Sequence, residues 1–288
     1  MDTHDIKKMP QKSSNTLVLG GGGVTGIAWM TGLLKGLEQR GLKLAEFDRL
    51  IGTSAGSTLA AQLSSGATMD DLYRRQVEEK KQVREIAPSL NRFKLLIKLI
   101  PALLVKSNPI KFRQRIGEMA LKTKTVSAEE RRQVILDRMP KHEWPEIQMD
   151  IMAVHSASGE IVNFSKYSKV DFVDAVAASC AVPGVWPSVL INGEYYYDGG
   201  IRSGENADFA LEATNVFIIS PLGLDGMPLF GGDLKAEIEL LKRSGSEVVL
   251  IYPDSSSKKE MGKNPLDPSK REASAKAGYQ QGLAYTKF

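Results

Sequence analysis

One pentapeptide, Gly52-Thr53-Ser54-Ala55-Gly56, limits what this chain can fold into more than any other stretch of it. A short apolar run, Leu50-Ile51, stands before it, and a run of small and apolar residues, Thr58-Leu59-Ala60-Ala61-Gln62-Leu63, follows. That is the strand, turn and helix a G-x-S-x-G elbow requires, with the serine on a turn too sharp for bulky neighbours. The turn pushes the hydroxyl into the open, and the helix behind it aims free N–H groups at any anion formed there. The same residues also read as an ordinary helix N-terminus capped by Thr53 or Ser54. Taken alone, the pentapeptide leaves both readings open.

A second unit of the same kind comes earlier. Thr16-Leu17-Val18-Leu19 reads as a buried strand, residues 20–26 (GGGGVTG) as a glycine loop, and residues 27–40 as a helix ending at Gly41. Consecutive amides facing one point form an anion cradle. Gly21, Gly23 and Gly26 also fit the dinucleotide pattern G-x-G-x-x-G. Against that, no acidic residue ends a second strand about 20 residues on. Asp48, the nearest, precedes the strand that leads into the elbow, and no Gly-Lys-Ser/Thr ending marks a phosphate-binding P-loop.

The rest of the chain alternates strand and helix patterns. A charged helix is expected over 68–85, further helices over 112–122 and 127–139, the last opened by a capping box of Ser127 and Glu130. Residues 147–155 read as a strand turned at Gly159 into a hairpin partner, 161–164, and 171–179 as a small helix. Pro183 and Pro187 stiffen the loop that follows, and a strand from Gly193 ends in Asp198-Gly199-Gly200. Strands at 215–220 and 248–252 flank a helix at 233–242. A polar linker over 254–268 and a C-terminal helix over 269–285 complete the chain. This order implies an α/β fold, three layers α/β/α around a mainly parallel central sheet. The expected organisation is a polar, disordered leader over 1–15 and one domain over 16–253, with a helical cap region about 88–140. Residues 254–288 are expected to pack on the same domain.

Between the helices lies an unusual segment from Arg92 to Lys106, RFKLLIKLIPALLVK. On a helical wheel Phe93, Leu96, Ile97, Ile100, Leu103 and Leu104 fall on one side, Lys94 and Lys98 on the other, and Pro101 is placed to kink or divide the helix. It reads either as a packing helix over the core or as a basic amphipathic cap over an active site, able to lie on a lipid surface.

Of 288 residues, 42% are hydrophobic and 25% charged, the balance of a globular chain. A net charge of +4 argues weakly for acidic membrane surfaces and makes no case for nucleic acid. The single cysteine, Cys180, allows no internal disulfide and fits a reducing compartment. No clustered Cys and His residues suggest a metal, and no run approaches the roughly 18 apolar residues of a spanning helix. The expected location is cytoplasmic, peripheral at a membrane surface at most.

A serine needs a base to attack anything. His4 lies in the leader, His142 in a charged loop, and His155 at a strand end where it reads best as a residue with satisfied ring nitrogens. No histidine follows position 155, whereas a Ser–Asp–His order places one late in the chain. Asp198 is the carboxylate best placed to act directly, although an aspartate before two glycines is also a common turn residue.

Three motifs in order change the balance. Residues 18–26 (VLGGGGVTG), the pentapeptide at 52–56 and Asp198-Gly199-Gly200 closely resemble the patatin-like phospholipase family, and residues 178–187 (ASCAVPGVWP) look like its helix and proline loop. The resemblance covers roughly 16–200. It implies a lipid acyl ester hydrolase of phospholipase A, lysophospholipase or esterase type, with Ser54 as nucleophile and Asp198 as base. It further implies an oxyanion hole from the amides of Gly21, Gly22 and Gly23, with that of Ala55 a candidate addition, and neither cofactor nor metal. One departure is Thr25, where the family usually carries a basic residue. The alternative is a catalytically silent relative that binds acyl lipids or a partner.

Overall fold

The structure is a computed structural model that describes residues 14–86, 92–224 and 232–286, the side chains of 92–96 excepted. Its centre is a sheet of eight strands: β1 (Asn15–Leu19), β2 (Arg49–Thr53), β3 (Gln148–His155), β4 (Ile161–Phe164), β5 (Val189–Ile191), β6 (Glu194–Asp198), β7 (Asn215–Ile219) and β8 (Glu247–Ile251). The order is β5-β6-β3-β2-β1-β7-β8, with β4 paired to β3 off this path. Strands β3, β2, β1, β7 and β8 run parallel, while β4 and β6 pair antiparallel to β3.

The inner parallel strands β1, β2 and β3 are buried on both faces, as their continuous apolar runs require. Leu17, Leu19, Ile151 and Ala153 point into one core with α1 (Gly23–Gln39), α2 (Ala55–Leu63) and α7 (Phe172–Ser179). Val18, Ile51, Met152 and Ile218, one residue out of phase, pack on the other face under α8 (Leu234–Arg243). Val154 and Tyr197 carry a third cluster under α4 (Arg92–Leu103) and α5 (Pro109–Leu121). Helices thus cover both faces of a mainly parallel sheet, the three-layer α/β arrangement expected.

Several elements are shorter or begin elsewhere than the residue pattern suggests. Asn15 belongs to β1 and its amide donates to Asp48, so the leader stops short of it; residues 1–13 lie outside the described part. The helix expected over 68–85 is α3 (Met69–Val77) followed by a short turn at Glu79–Lys81, because Thr68 caps a helix that ends after nine residues. The capping box at α6 (Ala128–Arg138) is formed as expected. The linker expected over 254–268 contains a helix, α9 (Ser255–Met261), begun by the Asp254 carboxylate. Its serines and lysines hide a helix that survives by burying Met261 and Ser257.

In α4, Pro101 sits in the last turn and does not divide the helix. The face that packs is also not the one the wheel suggests. Leu99 and Ala102 are buried, whereas Ile97, Ile100 and Leu104 are exposed. The segment is apolar on almost every side, so packing against α5 chooses the face and periodicity does not. Phe93, Lys94 and Leu96 lie outside the described side chains.

The last helix, α10 (Arg271–Ala284), lies against α1 at backbone contact. A Cβ at Gly32 would stand 1.9 Å from the Ala275 carbonyl oxygen, and one at Gly278 would stand 2.1 Å from that of Trp29. Trp29 Nε1 donates to Gln281 Oε1 at 3.1 Å across this seam.

Candidate active site

The site lies at the carboxyl ends of the parallel strands, the edge where open α/β sheets form their sites. The glycine loop follows β1 and Ser54 follows β2. Asp198 arrives from the other direction, at the end of β6. The register explains why the two meet: Thr53 pairs with Met152 of β3, and Asp198 with the next residue, Ala153.

Ser54 has φ 52° and ψ −115°, a left-handed conformation that a serine adopts only under constraint. Its surroundings supply that constraint. The Ser54 amide donates to Ser179 Oγ at 2.9 Å, and its carbonyl accepts from Ser57 Oγ at 2.7 Å and from the Cys180 thiol at 3.2 Å. The pentapeptide glycines allow the approach: a Cβ at Gly52 would lie 2.6 Å from Ser57 Cα, and one at Gly56 1.8 Å from the Leu19 carbonyl oxygen. Ser54 Oγ does not cap α2. It donates to Asp198 Oδ2 at 2.7 Å instead. The elbow reading therefore displaces that of a capped helix start.

Asp198 is 4% exposed. Its second oxygen, Oδ1, accepts from the Gly200 amide at 2.8 Å, and its own amide donates to the Ala181 carbonyl at 3.1 Å. Burial pushes its pKa up to about 7; the bonds from Ser54 and Gly200 and the charge of Arg131 pull the other way. A carboxylate so placed holds the serine hydroxyl and is basic enough to take its proton near neutral pH.

The glycine loop is not uniformly free. The Gly21 amide donates to the Gly204 carbonyl at 2.8 Å, which removes it from the donors expected there. Its Cα hydrogen faces the site, for a Cβ at Gly21 would lie 3.6 Å from Ser54 Cβ. The amides of Gly22 and Gly23 have no acceptor among the described residues, and neither does that of Ala55. Gly23 has φ 61°, and a Cβ there would lie 2.5 Å from the Pro265 carbonyl oxygen. Thr25 is buried and its amide donates to that same carbonyl at 3.1 Å.

These groups open into one cavity of about 580 Å³, the size of sites that take drug-sized ligands. Its apolar wall includes Ile27, Val182, Val185, Trp186, Ile201, Leu222, Leu234 and Leu266. Among the described residues, none of 97–106 lines it. Segment 263–268, read from sequence as linker, forms part of the wall.

His155 stands apart from the cavity, with Nδ1 2.9 Å from Ser158 Oγ and Nε2 3.1 Å from Glu194 Oε2. Its satisfied ring is what the sequence favoured. His142 contacts the Leu136 carbonyl, and His4 lies outside the described residues. Among the described residues, no group of three His, Cys, Asp or Glu could hold a metal ion, and no helix is long and apolar enough to cross a membrane.

Sequence reasoning missed three polar residues of this site. Ser179, which holds the elbow amide, looks like one more small residue of a helix. Glu205 lines the cavity behind the glycine loop, accepts from Ser220 Oγ at 2.6 Å, and is pushed up to about 7 by burial. Arg131 is the third. It shares a helical face with Val134, Ile135 and Arg138, and a charged residue at a core-facing position was the available signal.

A model of the patatin-like phospholipase family matches residues 17–211. No curated protein matches the chain significantly. Among solved structures it is similar to VipD from Legionella pneumophila, at 14% identity and TM-score 0.46, covering 95% of this chain and 66% of that one. It is also similar to the type III effector ExoU, known from Pseudomonas aeruginosa, at 16% identity and TM-score 0.43, covering 95% and 53%. The chain therefore spans less than two thirds of the length of either.

Proposed function

We propose that this chain, which belongs to the patatin-like phospholipase family, is a serine acyl hydrolase that cleaves carboxylic esters of lipids through Ser54 and Asp198. Family membership supports lipid hydrolysis in general. The observation that carries the finer reading is the 2.7 Å hydrogen bond from Ser54 Oγ to a buried carboxylate whose pKa lies near 7.

In this reading Asp198 accepts the Ser54 proton as Oγ attacks the ester carbonyl. The amides of Gly22 and Gly23, with that of Ala55, hold the oxyanion, each such donor being worth about 10²–10³ in rate. Gly200 keeps Asp198 aimed by its bond to Oδ1. The alkoxide leaves with the proton from Asp198, and water, deprotonated by the same carboxylate, releases the acid. The chemistry needs no cofactor. Apolar walls of the cavity suit an acyl chain, and the exposed Ile97, Ile100 and Leu104 with Lys98 suit peripheral contact with a membrane surface.

The test is hydrolysis of p-nitrophenyl esters over a range of acyl lengths by wild type, Ser54→Ala and Asp198→Asn. Both variants are expected at background while keeping wild-type circular dichroism. A folded wild type that neither hydrolyses these esters nor reacts with a fluorophosphonate replaces this reading with that of a silent acyl-binding relative.

A further inference from the structure

The catalytic reading uses Ser54, Asp198 and backbone amides, and among the charged side chains it leaves without a task in the same cavity is Arg131. Arg131 is 6% exposed, and its guanidinium has no hydrogen-bond or ion-pair partner among the described residues; Nε and Nη1 are sealed from solvent and unpaired. A buried charge without a partner is costly, and such a group in a folded protein calls for an explanation. Its neighbours Glu85 and Asp198 act on its charge through space, but neither forms a hydrogen bond or ion pair with it. Glu85 is held from one side by both Nε and Nη2 of Arg138 and from the other by Arg271 Nη2, so three guanidinium groups share one carboxylate. Burial and then the charge of Arg138 push the Arg131 pKa down to about 10, which leaves it cationic at neutral pH.

Its placement is that of a ligand-binding group. Trp186 covers one face of the guanidinium, with Cζ 4.1 Å from the ring centroid, and Nη2 alone of its nitrogens is neither bonded nor sealed from solvent. Arg131 and Trp186 line the cavity together with Ser54 and Asp198. The glycine loop offers no cation of its own, since Thr25 is buried and neutral.

We propose that Arg131 is the anion-binding, specificity-determining residue of this cavity, and that it takes a phosphate on the alcohol side of the ester presented to Ser54. The proposal rests on the hydrolase reading above and deepens it. A phosphate offers full negative charge and acceptor oxygens to the Nη2 donor and to the guanidinium charge behind it. A neutral ester of the same length displaces cavity water and still leaves Arg131 unpaired. Discrimination therefore comes as much from rejecting neutral lipids as from holding charged ones.

Binding to the full-length Ser54→Ala protein separates this from catalysis. Dodecyl phosphate, dodecanoate and dodecanol are titrated below their aggregation limits and followed by calorimetry. Dodecyl phosphate is expected to bind at least tenfold more tightly than dodecanol. That advantage is expected to vanish in Ser54→Ala/Arg131→Gln and to persist in part in Ser54→Ala/Arg131→Lys, where the charge remains but the donor is placed differently. Equal binding of phosphate and alcohol, or a phosphate advantage that survives Arg131→Gln, overturns the proposal. Dodecanoate bound as tightly as dodecyl phosphate assigns Arg131 to the carboxylate of the released acid and overturns the head-group assignment. Melting curves identify a variant that fails to fold, in which case the Lys variant decides, a wild-type-sized advantage overturning the proposal and a reduced one supporting it. Failure of the hydrolase reading is visible separately, as wild type inert toward p-nitrophenyl esters.

Discussion

The residue with the most to lose from being charged is Asp198. Burial holds its pKa near 7 against an ordinary 3.8, so two pH dependences follow with opposite signs. Activity rises with pH, because the base must be ionised: kcat/KM is expected to climb about tenfold per pH unit below 7 and to level above it. Stability falls over the same span. A carboxyl with a raised folded pKa contributes fully below 3.8 and loses that contribution as pH rises to 7, a cost of about 4 kcal/mol if the unfolded value is ordinary. Asp198→Asn keeps the shape without the charge. It is expected to raise Tm by several degrees at pH 8 and to give no advantage near pH 4, read from melts across that range. Glu205 titrates near 7 as well, so the rate profile is repeated in Glu205→Gln; a limb that disappears there belongs to Glu205. Ser54 and Asp198 were legible in the sequence because the elbow and the Asp-Gly-Gly turn are local signals. Ser179, Glu205 and Arg131 were not, since Ser179 acts on an amide 125 residues away, Glu205 through a tertiary contact with Ser220, and Arg131 through having no hydrogen-bond partner among the described residues. The Gly21 amide shows the converse. Its residue type fits an oxyanion hole, yet its donor is spent on Gly204, a partner no local pattern reveals.

Among the elements, the α1–α10 pair controls the most. Helix α1 begins with the glycine loop, so whatever holds α1 against the sheet also fixes the donors at Gly22 and Gly23. Gly32 and Gly36 on one helix and Gly278 and Gly282 on the other let the two backbones touch. A side chain there meets carbonyl groups, which cannot step aside as a rotamer would. Gly32→Val and Gly278→Val are each expected to cost at least 1–3 kcal/mol in chemical denaturation and to depress ester hydrolysis with it. Lys276→Ala, on the exposed side of α10, is expected within about 0.5 kcal/mol of wild type. Equal behaviour of all three variants removes this role from the seam. The strands and most helices were readable from runs and caps, as at Ser127 with Glu130. The pairing of the last helix with the first was not, because small residues in a helix look the same whether they face solvent or another backbone. The α4 face failed for a related reason: with apolar residues nearly all round, only the neighbour decides what is buried.

At the scale of the molecule, the net charge of +4 is small but its setting is specific. Ile97 and Ile100 on α4 and Leu104 just beyond its end stand exposed, while the helix buries Leu99 and Ala102, so it is anchored while its outer side remains apolar. Lys98 on α4 reaches Thr123 Oγ1 at 3.2 Å, and Lys111 lies in the first turn of α5 with Lys122 at its end. Apolar side chains bordered by cations are what a surface of anionic lipid attracts, the hydrophobic part by area and the charged part over a Debye length of about 8–10 Å. The two contributions separate in experiment. Binding to vesicles of mixed neutral and anionic lipid is expected to weaken as salt rises from 0.05 to about 0.5 M and to weaken again when Ile100→Ser and Leu104→Ser are combined. If the lipid substrate is reached through this face, the double variant loses more turnover on vesicle-borne ester than on a short, soluble p-nitrophenyl ester. Matching losses on both substrates place the defect in the cavity and not at the membrane. Vesicle binding that ignores both salt and the double variant assigns the approach to another surface.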